Sequence, residues 1–256
     1  MSFDKMSNKL ELDKTKFMNR LDSWINKSPN ERLRTISDNQ KDFIKKKGEE
    51  FFYLLKELEN KGLLKNLTSE EIVSTNKIYE RITKNIEEIS KLTMVFNDMV
   101  INNNNPSEQG EEILLKDNQN KNYHISAHQM IVQMGINYSM YCEFFKLWLI
   151  GIIDVTKFKK ITGIGDLKKE LKNEDIPTDF FDNIHDSNIK DVSLIDNKLR
   201  NAFFHLKFEL NNERLYYGNQ QLELKYFLKL NMCADRTALV CMYGCYYYFG
   251  MKQILC

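Results

Sequence analysis

This chain predicts an all-α protein: a helical bundle with a small β-hairpin inserted before the last helix. Three observations carry that expectation. Only 10 Gly and 3 Pro interrupt 256 residues, too few breakers for a strand-rich fold with its many turns. Apolar residues recur at i, i+3, i+4 and i+7 over most of the length, the period of a helix with one buried face. One stretch near the C-terminal end, "KFELNNERLYYGNQQLELKYFL" (207–228), instead alternates with period two and contains the turn pairs "NN" and "GN".

The elements follow in order. "TKFMNRLDSWINKS" puts Phe17, Leu21, Trp24 and Ile25 on one stripe. "SDNQKDFIKKKGEEFFYLLKELENKG" repeats the pattern with Phe43, Ile44, Phe51, Leu54, Leu55 and Leu58, and Gly62 suits the left-handed position just past a helix end. A third helix opens with a capping box, Thr68 to Glu71, and continues through Ile72, Ile78, Ile82, Ile86, Ile89, Leu92 and Met94. The Asn run, Pro106 and Gly110 then mark a loop. Inside it, "EILLKDNQNKNYHIS" reads as a small hairpin turned at Asp117–Lys121.

A second capping box, Ser126 with Gln129, starts a long helix through Met134, Tyr138, Tyr141, Phe145, Trp148 and Ile152. "GIGDLKKELKN" is a short helix after a glycine turn. Pro177 and the polar "FFDNIHDSN" lead into a helix ending near His205, and a last helix is expected from about Ala234 to Ile254. No solenoid repeat is present. The organisation expected is an N-terminal helical region over 1–110, a loop or linker over 111–123, and a C-terminal helical domain over 124–256.

Charge narrows the function classes. Lys and Arg total 37 against 36 acids, divided 21 to 21 before His124 and 16 to 15 from it onward. Neither half carries the excess of a generic nucleic-acid binder, so any nucleic-acid contact is local. The N-terminal "MSFDKMSNKLELDKTKF" has acids from the fourth residue and does not read as a secretory signal. The apolar runs around Trp148 and at "ALVCMYGCYYYFGM" fall short of a bilayer span, so no membrane is expected. Five cysteines, an odd number without zinc spacing, fit a reducing, cytoplasmic setting.

The stretch with chemical promise is "LRNAFFHLKFEL" (199–210). Asn201 and His205, four apart, share one helix face, while Arg200 projects roughly 140° from His205. The groups can converge if the helix frays at His205, or if a second copy packs against it across a symmetric interface. Arginine beside histidine with no acidic cluster suits phosphate: Arg supplies a planar, permanently charged fork, and His exchanges a proton near neutral pH. The plainer reading is a cation at a helix C-terminus, with Arg200 paired to Asp196 one turn earlier.

"LRNAFFH" also resembles the R-N-x-x-x-H signature of the HEPN superfamily, and the similarity spans roughly residues 124–256. The resemblance implies an all-α bundle that forms a homodimer through its motif helices. It implies a metal-independent endoribonuclease, without cofactor, that cleaves RNA by attack of the 2′-hydroxyl on the adjacent phosphate, in phage defence or as a toxin. His205 would transfer the proton, Arg200 would clamp the phosphate, and Asn201 would orient either. An antitoxin or other regulatory partner belongs to that picture. Lys207 stands where one antitoxin-modified toxin subgroup has a tyrosine, which argues against that subgroup. Some members of the superfamily are non-catalytic, so an RNA- or nucleotide-binding module and a structural interaction protein stay open.

Other candidates have plainer readings. His124 and His128 have zinc-ligand spacing but no third ligand. His185 is expected in a polar, solvent-facing loop. Cys233, Cys241, Cys245 and Cys256 read as core positions. The "YYYF" run from Tyr246 reads as core or interface before base-stacking surface, and "KFKK" (157–160) and Lys168–Lys169 offer short basic groups.

Overall fold

The computed structural model describes residues 11, 13–23, 38–68, 70, 71, 73, 74, 77, 112–116, 122–158, 161–189, 192–211 and 213–253; side chains at 38–39, 112–130 and 251–253 are left aside. It is mostly helical. The helices are α1 (13–23), α2 (Asp38–Asn60), α3 (Ala127–Ile152), α4 (Ile164–Asn173), α5 (Asp179–Asp182), α6 (Asn197–Phe204) and α7 (Leu224–Gln253). Strands β1 (Glu112–Lys116) and β2 (Asn122–Ser126) form the antiparallel hairpin that the sequence predicts, with Glu112 opposite Ser126.

Two expectations are corrected. The alternating stretch before the last helix is a three-stranded antiparallel meander, not a two-stranded hairpin: β3 (Glu209–Asn211), β4 (Arg214–Tyr217) and β5 (Gln220–Glu223). Glu213 at φ 59° lies between β3 and β4, and Gly218 at φ 58° turns the chain between β4 and β5. The last helix then starts at Leu224, ten residues earlier than Ala234. "LKYFLKL" satisfies both periods, and packing decides for the helix because Phe227, Leu228 and Leu230 are buried together only on that geometry.

The N-terminal helices end and start where their sequences say. After α2, Gly62 sits at φ 64° while Leu63 N–H donates to Leu58 O at 2.8 Å and Gly62 N–H to Glu59 O at 2.9 Å, a Schellman closure. The capping box at Thr68 forms in both directions, Thr68 N–H to Glu71 Oε2 at 2.8 Å and Glu71 N–H to Thr68 Oγ1 at 3.3 Å. Residues 70, 71, 73, 74 and 77 of that predicted helix are helical; its later part, like Trp24 and Ile25, lies outside the described residues.

One buried cluster unites α1 and α2 with the C-terminal elements. Phe51 of α2 meets Trp148 of α3 at 5.4 Å and Phe180 of α5 at 5.2 Å between ring centres. A fully buried cation crosses the same seam: Lys47 Nζ donates to Glu50 Oε2 at 2.8 Å and to Phe180 O at 2.9 Å. The chain after α2 pairs with the end of α3, Lys65 N–H donating to Ile152 O at 2.9 Å and Asp154 N–H to Leu63 O at 2.8 Å.

The contact that positions α6 is glycine-dependent. A Cβ on Gly135 of α3 would lie 1.8 Å from Cδ1 of Phe203. Phe203 is itself stacked on Phe227 at 5.0 Å and against Phe208 at 4.5 Å. The backbone of α3 therefore accepts a ring edge where any side chain would stand.

Candidate functional site

Helix α6 carries the Arg200–Asn201–His205 set, and both of its ends are built by specific bonds. At its start the Asp196 carboxylate accepts the N–H groups of Lys198 at 2.7 Å and Leu199 at 3.2 Å. That carboxylate also accepts the buried Tyr217 hydroxyl at 3.3 Å, and the Asp196 N–H donates to the Tyr138 hydroxyl at 2.8 Å. Burial pushes the Tyr138 phenol well above its usual range, so it stays a neutral donor to Leu194 O.

At its end, helical backbone stops at Phe204 and His205 is the C-cap. Lys207 N–H donates to Ala202 O at 2.7 Å and Leu206 N–H to Phe203 O at 3.2 Å, a Schellman closure like those that end α2 and α4. Leu206 fills the left-handed position at φ 53°, usually a glycine's, with 68% of its surface exposed. His205 is exposed as a result, and its ring sits edge-on to Phe204 at 5.4 Å.

Arg200 does not pair with Asp196, whose carboxylate is spent on the cap and on Tyr217. Its Nη2 forms an ion pair with Glu143 of α3, its Nη1 donates to Asn201 Oδ1 at 2.7 Å, and its guanidinium lies 4.8 Å over the Phe204 ring. The Nε–H is buried without an acceptor among the described residues. Glu143 is shared with Lys146. The exposed Phe204 ring thus has the guanidinium on its face and the imidazole at its edge, so Arg200 and His205 border one patch of the surface.

Glu143 and Ser139 are site neighbours that motif reading misses. Ser139 Oγ donates to the carbonyls of Gly135 at 2.9 Å and Arg200 at 3.2 Å, tying the two helices together. A signal existed: Glu143 is the single acid in the 26 residues of α3, and a lone carboxylate on an apolar helix needs a cation. Ile136 and Leu147 lie near Glu143 on the same face of α3 at helical spacing and are exposed, as are Phe204 and Leu206. The motif is rimmed by apolar surface.

The remaining candidates separate from it. His185 is exposed in its loop, as expected, and is also tied to α2: Nε2 donates to Glu50 Oε1 at 2.9 Å and the ring packs edge-on to Phe43. Lys168 is consumed by Asp182 and Ile195 O, and Lys157 by Gly62 O at 2.8 Å, which removes them as free phosphate contacts. Cys233, Cys241 and Cys245 are buried, and burial raises each thiol above its ordinary pKa. Tyr248 and Phe249 are core, while Tyr246 is exposed. Cys256, Lys159 and Lys160 lie outside the described residues, as do the side chains of His124 and His128. No helix among the described residues is long and apolar enough to cross a membrane. Compared with known proteins, the chain matches no family model, no curated sequence and no solved structure.

Proposed function

We propose that the Arg200/Asn201/His205 set is a ribonuclease site of HEPN type, completed when two copies pair through α6 and the exposed face of α3. The observation that carries this reading is that Arg200 already holds an anion, the Glu143 carboxylate, beside an exposed His205. An RNA phosphate entering the site replaces that carboxylate on the guanidinium fork. His205 takes the 2′-hydroxyl proton as that oxygen attacks the adjacent phosphorus; the phosphorus–5′-oxygen bond breaks and the leaving oxygen takes a proton from water. The products are a 2′,3′-cyclic phosphate and a 5′-hydroxyl. Arg200 offsets the charge that accumulates on the phosphate oxygens. No metal is assigned a part in these steps. Ile136, Leu147, Phe204 and Leu206 supply apolar surface for the pairing. A cytoplasmic role in phage defence or growth arrest, under an antitoxin or other regulator, follows from the same reading.

One observation favours a second reading, an RNA- or nucleotide-binding module without turnover. The His205 ring has no side-chain hydrogen-bond partner among the described residues, so none of these fixes its tautomer. Incubating wild type and His205→Ala with mixed cellular RNA in excess EDTA separates the two. Cleavage by wild type alone supports the nuclease; a gel shift with no cleavage by either supports the module.

A further inference from the structure

A cleft of about 350 Å³ lies away from α6, between the first turns of α2, the loop after α5 and the first half of α7. That volume is within the roughly 300–1,000 Å³ of small-molecule sites. Phe43 and Ile184 give it apolar wall, while Lys46, Lys229, Arg236 and His185 give it cations and a ring nitrogen. Asp42 and Asp186 oppose them, but Asp186 is already engaged by Lys229 and by Asn188 N–H at 2.9 Å. Lys46 has no ion pair among the described residues. Arg236 is 14% exposed and meets Asp235 through Nη1 at 3.5 Å, while the other Asp235 oxygen accepts the Tyr141 hydroxyl. Two cations therefore border the cleft with capacity to spare.

His185 is the most constrained residue there. Its backbone is left-handed, at φ 56°. A chain of polar side chains anchors it from behind: Nε2 on Glu50 Oε1 at 2.9 Å, Glu50 Oε2 on the fully buried Lys47 at 2.8 Å, and Asn183 Nδ2 on Glu50 Oε1 at 2.7 Å. Burial alone would raise the Glu50 carboxyl; the bonds from His185 and Lys47 outweigh it and hold the group ionised. A carboxylate on one ring nitrogen fixes the orientation and tautomer of the imidazole. Nδ1 is the atom left for a ligand.

We infer that this cleft binds a nucleoside monophosphate or a similar small phosphate ester with a planar body. Lys46 and Arg236 hold the phosphate, Nδ1 of His185 accepts a hydroxyl or amine donor of the ligand, and Phe43 supplies the surface against which the planar ring packs. The site is independent of the Arg200 set.

Calorimetric titration of the full chain with AMP, adenosine and inorganic phosphate tests it. AMP is expected to saturate below roughly 1 mM, with adenosine and phosphate each about tenfold weaker or more. Lys46→Glu and Arg236→Gln should each weaken AMP by about tenfold, and His205→Ala should leave it unchanged. Lys46 is exposed, so its variant keeps the fold, which an unchanged circular dichroism melt verifies. Absence of saturation with AMP overturns the inference. So does adenosine or phosphate alone matching AMP, AMP affinity indifferent to both cation variants, or AMP binding lost in His205→Ala, which would assign the nucleotide to α6.

Discussion

Replacing Gly135 by Ala tests whether the close approach of α3 and α6 holds the motif helix in place. In an exposed helix interior the exchange would stabilise by about 1 kcal/mol, because Ala loses less backbone entropy than Gly. Here the new methyl would lie 1.8 Å from the Phe203 ring, about half of an ordinary carbon contact. The ring cannot retreat, since Phe227 stacks on it at 5.0 Å and Phe208 stands at 4.5 Å. Overpacking a core costs about 1–3 kcal/mol, and a trapped ring belongs at the upper end. The net expectation is a loss of about 2 kcal/mol, or roughly 4–8 °C in Tm for a chain of this size. Urea titration followed by far-ultraviolet circular dichroism reads it. Combining the change with Phe203→Leu should recover part of the loss, because the two sites are coupled. A Gly135→Ala variant as stable as wild type, or more so, would refute the packing argument.

Three further outcomes are expected. Lys47→Met removes the buried cation that serves Glu50 and the Phe180 carbonyl, and should cost about 3 kcal/mol or more in urea; a loss under about 1 kcal/mol would mean the site repacks as hydrocarbon. Asp196→Ala removes the cap of α6 and should cost about 1–2 kcal/mol on the same scale; a neutral result would show that Tyr217 and water replace it.

The third outcome concerns alkaline pH. Burial pushes the Cys142 thiol up to about 12 and Cys233 to about 11, and raises Cys241 and Cys245 too. Raised acids favour the folded state fully below the unfolded thiol value of about 8.5, and that contribution is lost as pH rises past it. Lys47, lowered by burial, works in the opposite sense as a single group. Stability measured under reductant should therefore hold near neutrality and fall through pH 9 and 10; a flat profile would contradict the burial of the thiols.

Much of the fold is legible in sequence because helical periodicity and end chemistry agree. Phe51, Leu54, Leu55 and Leu58 are buried on α2 where their spacing predicts, and Gly62 and Thr68 do the end-capping their types suit. The start of α7 is not legible, because "LKYFLKL" fits period two and period 3.6 alike until tertiary packing selects one. At the site, the motif marks which side chains stand together on α6. It does not reveal Glu143, 57 residues before Arg200, because a partner on another helix leaves no local pattern. The Schellman turn that exposes His205 is equally hidden, since Leu206 stands where a glycine would have signalled it.

On the proposed reading, Arg200 and His205 act on an RNA phosphate through the neighbouring 2′-hydroxyl. The most direct measurement uses a synthetic oligoribonucleotide and its all-deoxy counterpart, each incubated with wild type and His205→Ala, with the product ends determined by mass spectrometry. Wild type alone is expected to cut, to cut only the ribose strand, and to leave fragments with 2′,3′-cyclic phosphate and 5′-hydroxyl ends. Cleavage of the deoxy strand, or equal cleavage by His205→Ala, would contradict that reading.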